Sequence, residues 1–398
     1  RQQVAELFLV LLILLMIDKN MDRVKRAGLI TIFAFSLAVS HYGLSYLFIF
    51  SLIAVYGLFF LNARRNNQNK VTEIVTTRRF VTLYITFAIA WYMYVSSSSA
   101  LETIVSIGDH IASSVFTDFL NPEAAEGIGI IMKETTSPLH DISKYLHLIA
   151  QFFIAIGIFT LMLKRKEMKF EEAHAAFSYV AFMICFSGIA IPFFASSLNT
   201  SRLYHITLIF LAPFCVIGGM TFFRMVNHAV KKSWTDRIVR SSLRVLSVFF
   251  AILLLFNSGW VYEIAKDHPG SISLSQENIK MYGGAQDKAS FYASYTPEQD
   301  VFGARWLSGN KDNEIKVYAD WWSKEHVLQS YGTLANAKFL DNTTNPTIGS
   351  YIYMRYYNVI LDAMSRGVHI EEYNTSEIAP MLEERNELYS NGKCRIYK

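Results

Sequence analysis

Cysteine is scarce in this chain, with 3 in 398 residues. Cys185 and Cys215 lie inside apolar runs and Cys394 stands alone near the end, so no disulfide framework is implied. There is no Asp-x-Asp, no His-Glu-x-x-His, no phosphate-cradling glycine loop and no Gly-x-Ser-x-Gly. The commonest signatures of metal-dependent hydrolases, nucleotide enzymes and serine hydrolases are therefore missing. Charge is also thin, at 18% against 52% hydrophobic residues. The net charge of +4 is modest and sits in a few loops. That distribution argues against nucleic acid as a partner and for control of membrane topology.

What the chain has instead is long apolar blocks. They predict membrane spans at Val4–Ile17, Ala27–Ser40, Leu44–Leu61, Phe80–Val95, a fifth beginning at Ser137-Pro138 and ending at Leu163, Ala175–Phe194, Leu203–Phe223 and Val245–Val261. The loops 18–26, 64–79, 164–174 and 224–244 hold nineteen Lys or Arg, whereas 40–43, 98–144 and 195–202 hold three. The positive-inside rule places the first set in the cytoplasm and the second outside. The expected fold is a polytopic α-helical bundle of about eight spans over residues 1–261, in the plasma membrane. Position 1 is Arg and an apolar run begins almost at once, which reads as part of a longer protein without a signal peptide of its own.

Two external regions interrupt or follow the bundle. Apolar residues recur at helical spacing over Ala100–Leu120, predicting an amphipathic helix on the membrane surface within the segment 98–144. Residues 262–398 are polar and predict a small extracytoplasmic α/β domain. Its expected helices are Pro297–Leu307, Ser323–Ser330 and Ser376–Leu388. Its expected strands are Glu314–Ala319, Ala337–Leu340, Tyr351–Met354, Tyr357–Ile360 and Cys394–Tyr397.

Candidate site residues gather at the external helix ends. In Asn-Thr-Ser-Arg-Leu-Tyr-His (199–205), Arg202 and His205 share one helix face at the membrane edge. Two readings stand: a snorkelling Arg at a helix end, or an anion site for a lipid phosphate. His140, Lys144, His147 and Gln151 fall at i, i+4, i+7 and i+11, one polar face of the fifth span. Such a face turns to the bundle interior or a wet cavity, either as packing glue or as a site. His41 and Tyr42 occupy the tight hairpin between spans two and three at the same depth. Together these groups suit a phosphate or diphosphate carried by a lipid. In the tail, Asp320-Trp321-Trp322 follows a strand directly. Its two Trp can close a pocket, stack on a sugar ring, or serve as core or membrane contact.

The runs Ser-His-Tyr-Gly (40–43), Asn-Thr-Ser-Arg-Leu-Tyr-His (199–205) leading to Ala-Pro-Phe (212–214), and Glu-Leu-Tyr-Ser-Asn-Gly-Lys-Cys-Arg-Ile-Tyr (387–397) resemble an uncharacterised family of archaeal multi-pass membrane proteins. More distantly, the layout is similar to the GT-C superfamily of membrane glycosyltransferases. That resemblance implies a multi-span bundle with an external α/β domain and the C-terminal portion of an enzyme for cell-surface glycan synthesis. Its donor would be a sugar on polyprenyl phosphate and its acceptor a glycan or protein, with Mg or Mn compatible with the chemistry. The lipid phosphate would be held by Arg202, His205, His140, Lys144 and His147, with His41 and Tyr42 lining the cavity. Two departures stand out. The acidic residue of the first external loop in GT-C enzymes would precede this chain. Asp320-Trp321-Trp322-Ser323 lacks the Tyr-Gly of the Trp-Trp-Asp-Tyr-Gly motif, so that form of peptide recognition does not carry over. The competing class is non-enzymatic: a flippase for lipid-linked glycans, or a membrane-anchored scaffold that binds surface polymer.

Overall fold

A computed structural model describes all residues except 19, 67–74, 76, 96–108, 110–112, 114–125, 133–134, 136, 166–167, 169, 192, 195–198, 231–233, 270–274, 313 and 366–371. The expected surface helix Ala100–Leu120 lies outside the described residues, save for Asp109 and Ser113. The chain forms two compact units, Arg1–Leu253 and Leu254–Lys398.

The first unit is all helix. It comprises α1 (Gln2–Ile17), α2 (Arg23–Ser40), α3 (Tyr42–Asn66), α4 (Arg78–Val95), α5 (Glu126–Met132), α6 (Pro138–Leu163), α7 (Glu172–Ala190), α8 (Thr200–Ala229) and most of α9 (Asp236–Asn257). Among the described residues, α3, α6, α7, α8 and α9 are long and apolar enough to cross a membrane. The shorter α1 is apolar but has only 16 residues. The helices α2 and α4 form where spans were expected, but both open on basic residues and fall short of the same measure. Length and hydropathy alone thus give five candidate spans among the described residues.

Local chemistry sets the helix ends. Asp22 caps α2 by accepting from the Val24 and Lys25 amides, and Ser137 caps α6 ahead of Pro138, as expected. Asn199 caps α8 from a positive φ of 66°, which Asn tolerates better than most side chains. The helices share one apolar core. Polar links tie neighbours together inside it, such as the buried Ser45 Oγ to Tyr84 hydroxyl bond at 3.0 Å between α3 and α4.

The tightest packing joins α6 to α8. A Cβ placed on Gly157 would sit 2.1 Å from the Phe214 carbonyl oxygen, and one on Gly218 would sit 1.7 Å from that of Phe153. The two backbones touch, which only glycine allows. Gly219, on the same helix, abuts the Leu246 side chain of α9.

The second unit continues with α10 (Trp260–Ala265), α11 (Gln276–Tyr282), α12 (Ala285–Ser294) and α13 (Glu298–Asn310). A five-stranded mixed sheet follows, ordered β2 (Lys338–Phe339), β1 (Val317–Ala319), β3 (Tyr351–Met354), β7 (Arg395–Tyr397), β6 (Glu387–Ser390). β1 runs parallel to both β2 and β3, whereas β7 is antiparallel to β3 and β6. Strand alternation divides the core into two layers. Val317, Ala319, Tyr351 and Tyr353 pack with Ala304 and Leu307 of α13, and Tyr318, Ile352 and Met354 pack with Leu340, Met364 and Ile378. The strands β4 (Ala363–Ser365) and β5 (Glu372–Asn374) form a separate hairpin that the sequence did not signal.

Two tail expectations are corrected. Tyr356–Ile360 is a short helix, not a strand, because the Asn358 side chain accepts from the Arg355 amide at 2.9 Å and turns the chain after β3. Ser376–Leu388 is not one helix: a 3-10 turn and Ala379–Glu383 give way to β6, whose Tyr389 stacks on Trp306 at 4.9 Å. Asp320, at the end of β1, is fully buried. It accepts from the Ser323 amide at 2.7 Å, from Asn358 Nδ2 at 2.9 Å and from the Ser365 amide at 3.4 Å, so it is a structural carboxylate.

The glycine crossing generates a prediction. Gly218→Ala should destabilise the bundle by about 2 kcal/mol or more, because its methyl group meets backbone rather than a flexible side chain. Gly28, also helical, has open space around it. Gly28→Ala should leave stability unchanged or raise it by up to about 1 kcal/mol. Thermal unfolding in one detergent compares the two, and equal midpoints would contradict the backbone contact.

Candidate functional site at one end of the bundle

The last turn of α2 and the first turns of α1, α3 and α8 bring four chemically active side chains into one electrostatic neighbourhood. Its anchor is Glu6, the single acidic residue of α1. Gln2 Nε2 donates to Glu6 Oε1 at 2.9 Å, and His205 Nδ1 of α8 stands 3.7 Å from the same oxygen. The Glu6 side chain is 12% exposed and that of His205 is 67% exposed, so a shielded carboxylate faces an open imidazole. Sequence reading missed Glu6. Its signal was a lone acid in an otherwise unbroken apolar run, a position that is costly without a role.

His41 occupies the connection between α2 and α3 and serves the fold first. Its Nδ1 accepts from the Leu44 amide at 3.1 Å, which leaves the neutral ring its proton on Nε2. Burial lowers the His41 pKa below 6.5, and the Arg202 charge pushes the same way, while Glu6 opposes them. His41 is thus a neutral donor at pH 7. Tyr42 is exposed and stacks on His41 with ring centroids 5.4 Å apart. Arg202 is exposed one turn into α8, and among the described residues no carboxylate lies within ion-pair distance of it.

The polar face of α6 lies apart from this group in chemistry. His140, Lys144, His147 and Gln151 are all half-buried. His140 Nδ1 is 2.9 Å from Ser137 Oγ, so it belongs to the helix cap. His147 Nδ1 lies 2.9 Å from the Ser143 carbonyl oxygen of its own helix, a distance at which Nδ1–H donates. Its ring meets Tyr204 of α8 edge-on at 6.5 Å. Each ring thus has one nitrogen committed locally. The structure sets His205 against Glu6, places His41 within electrostatic reach of both Glu6 and Arg202, sets Tyr42 against His41, and sets His147 against Tyr204 of α8.

The donor set around Glu6 is one carboxylate and one imidazole. Mg and Mn take oxygen-rich sets, so a metal here would draw further ligands from substrate phosphate or water. What the side chains supply themselves is a base, a neutral N–H donor and a fixed cation. These suit proton removal beside an anion.

The helices define a multi-pass membrane protein with a small mixed-sheet unit at its C-terminal end. The chain belongs to a family, one described as a predicted membrane protein (DUF2206), which matches residues 26–397. His41, Arg202 and His205 fall inside the matched segment and Glu6 precedes it. No curated protein and no solved structure matches the chain.

A titration checks the electrostatics. The His41 pKa is lowered, so its neutral form favours folding. That contribution is complete above pH 6.5 and is lost as pH falls from there through the folded-state value. The His41 ring signal should titrate below 6.5 by NMR. Glu6→Gln should move it further down and Arg202→Ala should move it up. A midpoint at or above 6.5, unmoved by either change, would contradict the described neighbourhood.

Proposed function

We propose that the chain is the C-terminal portion of a glycosyltransferase-like membrane protein, GT-C-like in layout, which moves a sugar from polyprenyl phosphate onto a cell-surface glycan or protein. In this reading the bundle sits in the plasma membrane with eight crossings, its basic loops are cytoplasmic and residues 262–398 are extracytoplasmic. The observation that carries it is the shielded Glu6 carboxylate 3.7 Å from an open His205, at the helix ends where Arg202 stands exposed.

The chemistry divides among these groups. An acceptor hydroxyl attacks the anomeric carbon as the bond from that carbon to the phosphate oxygen breaks. Glu6, directly or through His205, takes the hydroxyl proton. Arg202 stabilises the negative charge left on the lipid phosphate. His41 donates its Nε2 proton to a phosphate or sugar oxygen, and Tyr42 lines the approach. His140, Lys144 and His147 extend the polar wall along α6.

Arg202→Ala should lower transfer from a polyprenyl-phosphate sugar by about a hundredfold or more, as loss of one charge-stabilising donor does. The helical content should not change, because Arg202 is exposed and makes no hydrogen bond or ion pair among the described residues. Normal transfer by that variant would sink the assignment. Passage of labelled lipid-linked sugar across vesicles without its consumption would favour a flippase.

A further inference from the structure

The C-terminal unit holds a second feature that the membrane cluster does not use. A cleft of about 810 Å³ is lined by the end of α13, the approach to β1 and the start of β2. Four of its lining residues are lysines, Lys311, Lys316, Lys324 and Lys338, against one acid, Glu314. Lys316 and Lys338 are exposed, and Lys324 is held by Glu325 at 3.0 Å. The volume lies in the range of ligand pockets rather than of surface dimples.

The lining chemistry narrows the ligand. Lysine is a hydrated point charge on a flexible stem, so a lysine set reads negative charge without demanding one planar geometry. No arginine is among the described residues that line the cleft. Aromatic surface borders the same place: Phe339 lines it, and Trp321 lies 6.3 Å edge-on from Phe339 with Lys324 Nζ 5.5 Å above its ring. An aromatic face beside cations accepts the apolar face of a sugar ring while the ammonium groups meet its acids. A concave site of this kind is the wrong shape for a bilayer surface. It suits a chain segment that enters it.

We propose that this cleft binds an acidic glycan, its lysines meeting carboxylate or phosphate groups and Phe339 with Trp321 offering ring faces to the sugars. The assignment needs the C-terminal unit to face the surface polymer, the orientation adopted under the proposed function. It does not need the membrane cluster to be catalytic.

The test uses the full chain in zwitterionic nanodiscs with a galacturonic-acid hexamer as probe and a neutral galactose hexamer as control. The acidic hexamer should bind, weaken steeply between low and physiological salt, and lose about tenfold in affinity in Lys316→Glu/Lys338→Glu. Trp321→Ala should weaken it severalfold with the salt dependence retained. Both lysines are exposed, so their reversal leaves folding intact, and near-UV circular dichroism checks the Trp321 variant. Equal binding of both hexamers, or of wild type and the lysine reversal, overturns the proposal. So does preference for nanodiscs of phosphatidylglycerol with no binding of the hexamer. Transfer from the polyprenyl-phosphate sugar is measured separately on the same wild-type chain, so absent hexamer binding with transfer intact removes the cleft's role alone, and binding with transfer absent removes the membrane site alone.

Discussion

The backbone contact between α6 and α8 is the constraint on which the membrane unit rests. Gly157 and Gly218 let the two helices approach until main chain meets main chain. In a membrane, where apolar surface gains nothing by leaving lipid for protein, such close packing is what holds helices together. That contact fixes how α8 leaves the core, and hence where its first two turns carry Arg202, Tyr204 and His205. His147 of α6 then meets Tyr204, and His205 arrives beside Glu6 of α1.

The resulting cluster has an electrostatic logic that none of its members has alone. Glu6 is shielded, bonded to Gln2 and 3.7 Å from His205. His41 is committed to the α3 start through Nδ1, so burial and Arg202 hold it neutral rather than cationic. Arg202 is an exposed cation within electrostatic reach of His41. A base, a neutral donor and a fixed cation at one bundle end form the minimum set for moving a proton while an anion departs.

Much of this was legible in the sequence, for reasons specific to each residue. Ser137-Pro138 announced the start of α6, and the short unbroken apolar run Tyr351–Met354 announced β3 with both its ends. That Arg202 and His205 share one face of a helix followed from their spacing, and α8 spans both. Glu6 was not legible, because one acid in a run of Leu, Val and Ile reads as the edge of a span until a partner on another helix is seen. The expected strand Tyr357–Ile360 is instead part of a short helix: its Tyr, Val and Ile favour strands, while the capping bond from the Arg355 amide to Asn358 that turns it is local chemistry without periodicity. The lysine cleft was invisible because its residues come from four separate stretches of the sequence, around 308–311, 314–317, 324 and 333–339.

The most direct measurement of the central claim is phosphorus NMR of farnesyl phosphate, a short polyprenyl phosphate, titrated with the full chain in nanodiscs. The account predicts a saturable shift and broadening of the phosphate signal that Arg202→Ala largely removes while Arg305→Ala, in the other unit, does not. A phosphate signal unmoved by the wild-type chain, or moved equally with and without Arg202, would contradict it.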